Sequence, residues 1–211
     1  KIPQGAWDDV RQELKSIQWD HVTDNFIRCA LIDGSDGRFQ PDLTQDVDWE
    51  IIEQNIRQAA RLCRETHLKG FWFDTEQYSA YKQGGKHFPF GKDTPETLRR
   101  RGAQWIKAIQ AEFPEVRIII TFAWSPDLGE AGFLHGVHPF LEGVLEGIRA
   151  PGILIHGYEN TFYYGQLPGT LYTKEGFPGG RTRFEWARSQ IREWRTFSSQ
   201  PDRKSTRLNS S

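Results

Sequence analysis

Short apolar runs rich in β-branched or aromatic residues alternate along this chain with stretches whose apolar positions recur every three or four residues. The first pattern has the length and composition of buried strands, and the second is the spacing of one helix face. Strand and helix in alternation restrict the fold to an α/β class built on a parallel sheet, because parallel neighbours must be joined by a long crossover. The run Gly70-Phe71-Trp72-Phe73 is the most informative, since it ends abruptly in acid as Asp74-Thr75-Glu76. Side chains alternate along a strand, so Trp72, Asp74 and Glu76 are expected on one face and Phe71, Phe73 and Thr75 on the other. Burying an unpartnered carboxylate costs several kcal/mol, so two acids closing an apolar strand call for an explanation. In parallel α/β architectures ligands bind at the carboxyl ends of the strands, which makes a site one explanation. The other is that Asp74 caps a turn while Glu76 is solvated at the start of a loop.

The remaining elements follow in order. Trp7 to Ile17 has Val10, Leu14 and Ile17 at helical spacing and is expected to pack outside a sheet. Asn25 to Ile32 is an apolar strand closed by Asp33-Gly34. The acidic segment Ser35 to Asp48 reads as an exposed loop, either a lip of the site or plain connection. From Trp49 to Thr66 an amphipathic helix carries Trp49, Ile52, Ile56, Ala59, Ala60 and Cys63 on one side. Gln77 to Lys92 is a long loop mixing Tyr78, Tyr81, Phe88 and Phe90 with Lys82, Lys86 and His87. Its aromatics either stack on sugar faces or form a small cluster of their own. Asp93-Thr94-Pro95-Glu96 supplies a capping residue, an early proline and a first-turn acid, and so starts a helix whose buried face includes Leu98, Trp105, Ile106, Ile109 and Phe113. Val116 to Trp124 is the clearest strand, Phe140 to Ile148 a short helix, and Ile153 to Glu159 a fourth strand that again ends in a carboxylate. Phe184 to Phe197 has a further helical spacing.

About four βα units are therefore visible, either half of a (β/α)8 barrel or a large part of a doubly wound sheet. No Gly-rich phosphate loop follows any strand, which weakens the nucleotide-binding version.

Composition narrows the function classes. With 37% hydrophobic and 26% charged residues the chain has the make-up of a globular domain, and no apolar run approaches the ~18 residues of a membrane span. The segment Asp202 to Ser211, DRKSTRLNSS, matches the translation of a common sequencing adapter, and the chain contains no methionine. The expectation is a missing start, a non-native tail at 202–211, and one partial barrel domain over 1–201. Setting the tail aside removes three basic residues and one acidic residue, leaving 24 against 27 and a net charge of −3. That balance, with basic residues spread along helices, argues against a nucleic-acid partner. Cys29 and Cys63 read as small core residues rather than a disulfide or a metal site. The chain's location stays open, a secreted or periplasmic one included.

Three successive strands thus bring polar or aromatic groups to their carboxyl ends: Asp74 with Glu76, then Trp124, then Tyr158 with Glu159. Carboxylates with aromatic faces are what glycoside cleavage requires, one acid to protonate the leaving oxygen and a second charge at the oxocarbenium-like centre. With one strand between them, Glu76 and Glu159 are expected to bring their carboxyl groups to within about 5–10 Å.

At these residues the chain resembles the TIM-barrel glycoside hydrolases. Trp72-Phe73-Asp74-Thr75-Glu76 is similar to the end of the chitinase-like signature, in which the final Glu is the acid and the preceding Asp orients the substrate acetamido group. Tyr158-Glu159 resembles that family's Tyr-Asp pair. The family has acids where this chain has Lys69 and Trp72, and Asp in place of Glu159. The same acids also fit alpha-galactosidase-like barrels, whose catalytic carboxylates sit two strands apart. The resemblance implies a hydrolase, a glycosidase of carbohydrate metabolism, with Glu76, Asp74 and Glu159 catalytic, with Trp72, Tyr78, Trp124, Tyr158 and Asn160 binding substrate, and with no cofactor or metal. Two alternatives stand beside it: a non-catalytic carbohydrate-binding barrel, and a metal-dependent hydrolase using Asp74, Glu76, His156 and Glu159.

Overall fold

The computed structural model describes residues 1–31, 41–75, 94–123 and 136–157. Eight elements alternate along them: α1 (Gln4–Ser16), β1 (Phe26–Cys29), α2 (Asp46–Glu65), β2 (Gly70–Phe73), α3 (Pro95–Glu112), β3 (Arg117–Ile120), α4 (Val137–Gly147) and β4 (Ile153–His156). The four strands form one parallel sheet in the spatial order β1-β2-β3-β4, the order of the chain itself. The expected α/β class with parallel βα units is therefore present. The expected elements at Asp33-Gly34, in the loop 77–92 and over 184–197, together with the tail 202–211, lie outside the described residues.

β2 coincides with the apolar run that announces it, and the other three strands are shorter than theirs. All four pair over the same four-residue register, Phe26 with Gly70, Gly70 with Arg117 and Arg117 with Ile153, so the common overlap sets their length. The ladder nevertheless runs one step further at the carboxyl end. Asp74 N–H donates to the Cys29 carbonyl at 2.8 Å, Thr121 N–H to that of Phe73 at 3.0 Å, and Gly157 N–H to that of Ile120 at 2.7 Å.

The two faces of the sheet differ. Phe71, Phe73, Ile118 and Ile120 are fully buried and join the core with residues of α2, α3 and α4, while Arg28, Trp72 and Arg117 on the other face are exposed. The three helices therefore cover one face, and the opposite face carries exposed Trp72 and Ile153. A doubly wound sheet reverses its strand order and takes helices on both faces; neither occurs among the described residues. At the centre of the covered face Phe73 packs against Trp105 and Phe140, with ring centroids 4.8 and 6.0 Å away.

Local chemistry accounts for the elements. The side chain of Thr94 caps α3 by accepting from Thr97 N–H at 3.2 Å, with Pro95 in the first turn, as the sequence predicts. Gly70 opens β2 at φ +147, and a Cβ there would sit 2.0 Å from the Arg117 carbonyl oxygen, so only glycine lets β2 approach β3 at this point. The helix α1 differs from expectation. It packs chiefly on α2, using half-buried Trp7 and Leu14, whereas Val10 and Ile17 are exposed. Its apolar spacing is helical, but the stripe is too narrow to bury all its members.

Buried Arg101 is the main polar fixture of the helical layer. Only 1% exposed, it donates to the Leu43 carbonyl at 2.8 Å, to Gln104 at 2.9 Å and to the Asp46 carboxylate at 2.7 Å, and it lies 5.1 Å from the Trp49 ring centroid. A cation this deep is tolerated because each of its three nitrogens donates a hydrogen bond, one of them to a carboxylate. It ties the entry to α2 onto α3.

Candidate functional site

The candidate site lies at the carboxyl end of β2 and along the sheet face that, among the described residues, no helix covers. Asp74 follows the last residue of the strand, and its amide is held by β1. Its carboxylate is on the Trp72 face, as alternation predicts, and meets a residue that the sequence reading passed over. Arg28 Nε donates to Asp74 Oδ2 at 2.9 Å, and Arg28 Nη2 is also hydrogen-bonded to that oxygen. Asp74 is 6% exposed, whereas the Arg28 side chain is 73% exposed. The pair explains how an acid can close an apolar strand: the buried carboxylate has a charge-assisted partner whose outer edge remains in solvent.

Arg28 and Asp74 meet because Arg28 is the register partner of Trp72 and so projects from the same face. A single charge inside the apolar run Asn25 to Ile32 was the available signal. The alignment of β1 with β2 that gives it a partner is not written in either strand.

Threonine fastens the next residues. Thr75 Oγ1 donates to the Phe122 carbonyl at 3.1 Å and accepts from Phe122 N–H at 3.3 Å. Asp74-Thr75 is therefore clamped on one side to β1 and on the other to the segment after β3, which fixes the backbone from which Glu76 departs. Thr121 Oγ1 in turn donates to the Phe73 carbonyl at 3.2 Å and accepts from Trp72 Nε1–H at 2.8 Å. Trp72 is thus 48% exposed yet held in one orientation. A preoriented, accessible indole is a stacking platform that loses little freedom when a ring settles on it.

Of the sequence-predicted site residues, the structure brings Asp74 and Trp72 together on one face. Glu76, Tyr78, Trp124, Tyr158, Glu159 and Asn160 lie outside the described residues, and so does the Glu76 to Glu159 separation. His156 is the register partner of Ile120 and shares the helix-covered face, opposite to Asp74. Among the described residues no three His, Cys, Asp or Glu side chains gather as a metal site, and no helix is long and apolar enough to cross a membrane.

Both cysteines are free. Burial pushes the Cys63 thiol up to about 12, and burial, followed by the nearby Cys63 and Asp74, raises that of Cys29 further. Neither is placed to act as a nucleophile. A groove of about 390 Å³ between the first turn of α1 and the middle of α2 is lined by Trp7, Asn55, Arg57 and Arg61. Its two arginines are already paired, Arg57 with Glu53 at 2.7 Å and Arg61 with Glu112 at 3.1 Å, and it belongs to the helical layer rather than to the strand ends.

Comparison with protein-family models, with curated proteins and with solved structures found no match.

Proposed function

We propose that this chain forms part of a (β/α) barrel that acts on carbohydrate: a glycoside hydrolase cleaving an oligo- or polysaccharide by carboxylate acid/base chemistry. The observation that carries the reading is the end of β2, where a carboxylate, a clamped backbone and a held, half-exposed indole occur together on the face that no helix among the described residues covers. Sequential strand order with helices on one face is also the arrangement of a barrel wall, whose inner surface leads to the carboxyl ends of the strands.

In this mechanism Glu76 donates a proton to the glycosidic oxygen as the bond to the anomeric carbon breaks. Glu159 stabilises or attacks the oxocarbenium-like centre, and a water then completes hydrolysis. Asp74, whose Oδ2 is committed to Arg28, sets the position of the strand end rather than transferring the proton. Trp72 holds a sugar ring by its face.

The test is Glu76→Gln, measured by turnover on a panel of chromogenic glycosides and by oligosaccharide binding. The amide keeps the shape but cannot deliver a proton, so turnover should fall by roughly 10²–10⁴ with binding largely retained. Equal turnover in variant and wild type would remove Glu76 from the mechanism. Binding without turnover in the wild type would favour the carbohydrate-binding alternative.

A further inference from the structure

The sheet face of Trp72 carries a cation that the proposed chemistry does not use. Arg28 sends its Nε hydrogen and one Nη2 hydrogen to a single oxygen of Asp74. A guanidinium holds five N–H donors in a rigid planar fork, so three remain, two on Nη1 and one on Nη2. That end-on edge matches two oxygens of a carboxylate or a sulfate. The edge is also presented outward, because the Arg28 side chain is 73% exposed while the carboxylate behind it is buried. Neutralising Asp74 requires only the side-on edge. The other cation of the strands on this face among the described residues, Arg117, lies at the amino end of β3 and is paired with Asp24 at 3.2 Å, so it does not duplicate the arrangement.

The platform stands beside this fork. Trp72 is the register partner of Arg28, and neighbouring strands run about 4.8 Å apart, so both side chains leave the same face side by side. Each is oriented before any ligand arrives, Arg28 by Asp74 and Trp72 by Thr121. A neutral sugar would use the indole alone. A ring with an anionic substituent can use both groups at once.

From this juxtaposition we infer that Arg28 and Trp72 form a subsite for a sugar ring bearing an anionic group, a uronate carboxylate or a sulfate ester. The inference rests on the carbohydrate-active reading and narrows its substrate to an acidic polysaccharide.

The experiment is calorimetric titration of the 211-residue chain with tetragalacturonate, with a sulfated galactan tetrasaccharide, and with the neutral tetrasaccharides of cellulose and xylan. At least one anionic probe should bind tenfold or more tightly than either neutral one, and the difference should shrink as salt rises. The anionic probe that binds identifies the substituent. Arg28→Gln should abolish the preference, while Arg28→Lys, which keeps a positive partner for Asp74 but loses the planar fork, should reduce it several-fold. Trp72→Ala should weaken every oligosaccharide that binds. Retention of the full preference in both Arg28 variants, each with a wild-type circular dichroism spectrum, would overturn the subsite, as would tighter binding of a neutral probe by the wild type; in either case the carbohydrate-active reading survives. Failure of the wild type to bind any of the four would overturn both.

Discussion

Replacing Gly102 by Ala should destabilise the protein even though helix propensity alone favours the change by ~1 kcal/mol. Gly102 lies in α3, where a Cβ would stand 1.9 Å from the Phe140 carbonyl oxygen and 3.0 Å from Val144 N, both in α4. The contact is reciprocal, since a Cβ on Gly143 of α4 would stand 1.8 Å from the Arg99 carbonyl oxygen in α3. Carbon approaches a carbonyl oxygen to roughly 3.3 Å, so the helices would have to part by about 1.4 Å at this point. Opening a packed seam by that distance forfeits about half of its dispersion energy. If Trp105, Ile106, Phe140 and Val144 together make ~40 atom contacts across the seam at 0.1–0.2 kcal/mol each, the loss is about 2–4 kcal/mol. Net of propensity, Gly102→Ala should cost about 1–3 kcal/mol and lower Tm by roughly 2–12 °C. The control is Gly5→Ala in α1, where nothing lies within 4 Å of the new methyl, and which should be neutral or slightly stabilising. Thermal or urea unfolding of the two variants decides the matter. Combined with Gly143→Ala, the Gly102 effect should be less than additive, because the first substitution has already opened the seam. A Gly102→Ala protein as stable as Gly5→Ala would refute the backbone-contact argument.

Other substitutions test the polar fixtures. Arg101→Met should cost about 2–3 kcal/mol, because it leaves the buried Leu43 carbonyl without its donor and uncovers the Trp49 ring. Its pH dependence has a defined sign. The hydrogen bond from Arg101 holds the Asp46 carboxyl below its ordinary value of 3.8, so that part of the stabilisation is complete above pH ~4 and fades as pH falls through the lowered value. The stability gap between wild type and Arg101→Met, measured by urea unfolding across pH 3–7, should therefore narrow at the acid end; a gap that widens there would contradict the pairing. Thr94→Ala removes the cap of α3 and should cost about 1 kcal/mol in the same assay, with no change meaning that Thr97 N–H finds another acceptor. Cys63, with its thiol raised to about 12, should resist a disulfide reagent at pH 8 in the folded protein and react once urea unfolds it; rapid reaction in the folded state would show that it is accessible.

The longer periodic elements were legible because their patterns are local. The stripe from Trp49 to Cys63 and the Thr94-Pro95 start lead directly to α2 and α3. The alternation of β2 was equally readable, with Phe71 and Phe73 buried and Trp72 exposed. Pairwise facts across elements were not. The Arg28 to Asp74 bond depends on the register of two strands separated by α2, and Gly102 reads as a mild helix weakness until Phe140 is seen against it. The burial of Arg101 escaped for the same reason, since its acceptors, Leu43 and Asp46, lie more than fifty residues earlier. For the site, Asp74 and Trp72 could be placed together from alternation alone, but the groups that hold them, Arg28 and Thr121, come from neighbouring strands.

The spatial order of the strands repeats their order of synthesis, which bears on how the chain acquires its shape. As each strand emerges from the ribosome, the edge it must join has just been laid down, so the sheet can grow by accretion from the amino end with no strand waiting for a distant partner. Every intermediate in such growth ends in a row of unpaired peptide groups, competent to receive the next strand but equally open to an extended segment from another molecule. Speed of assembly in this topology is therefore coupled to a need for shelter: whatever delays the arrival of a helix and its following strand prolongs the exposure of a live edge.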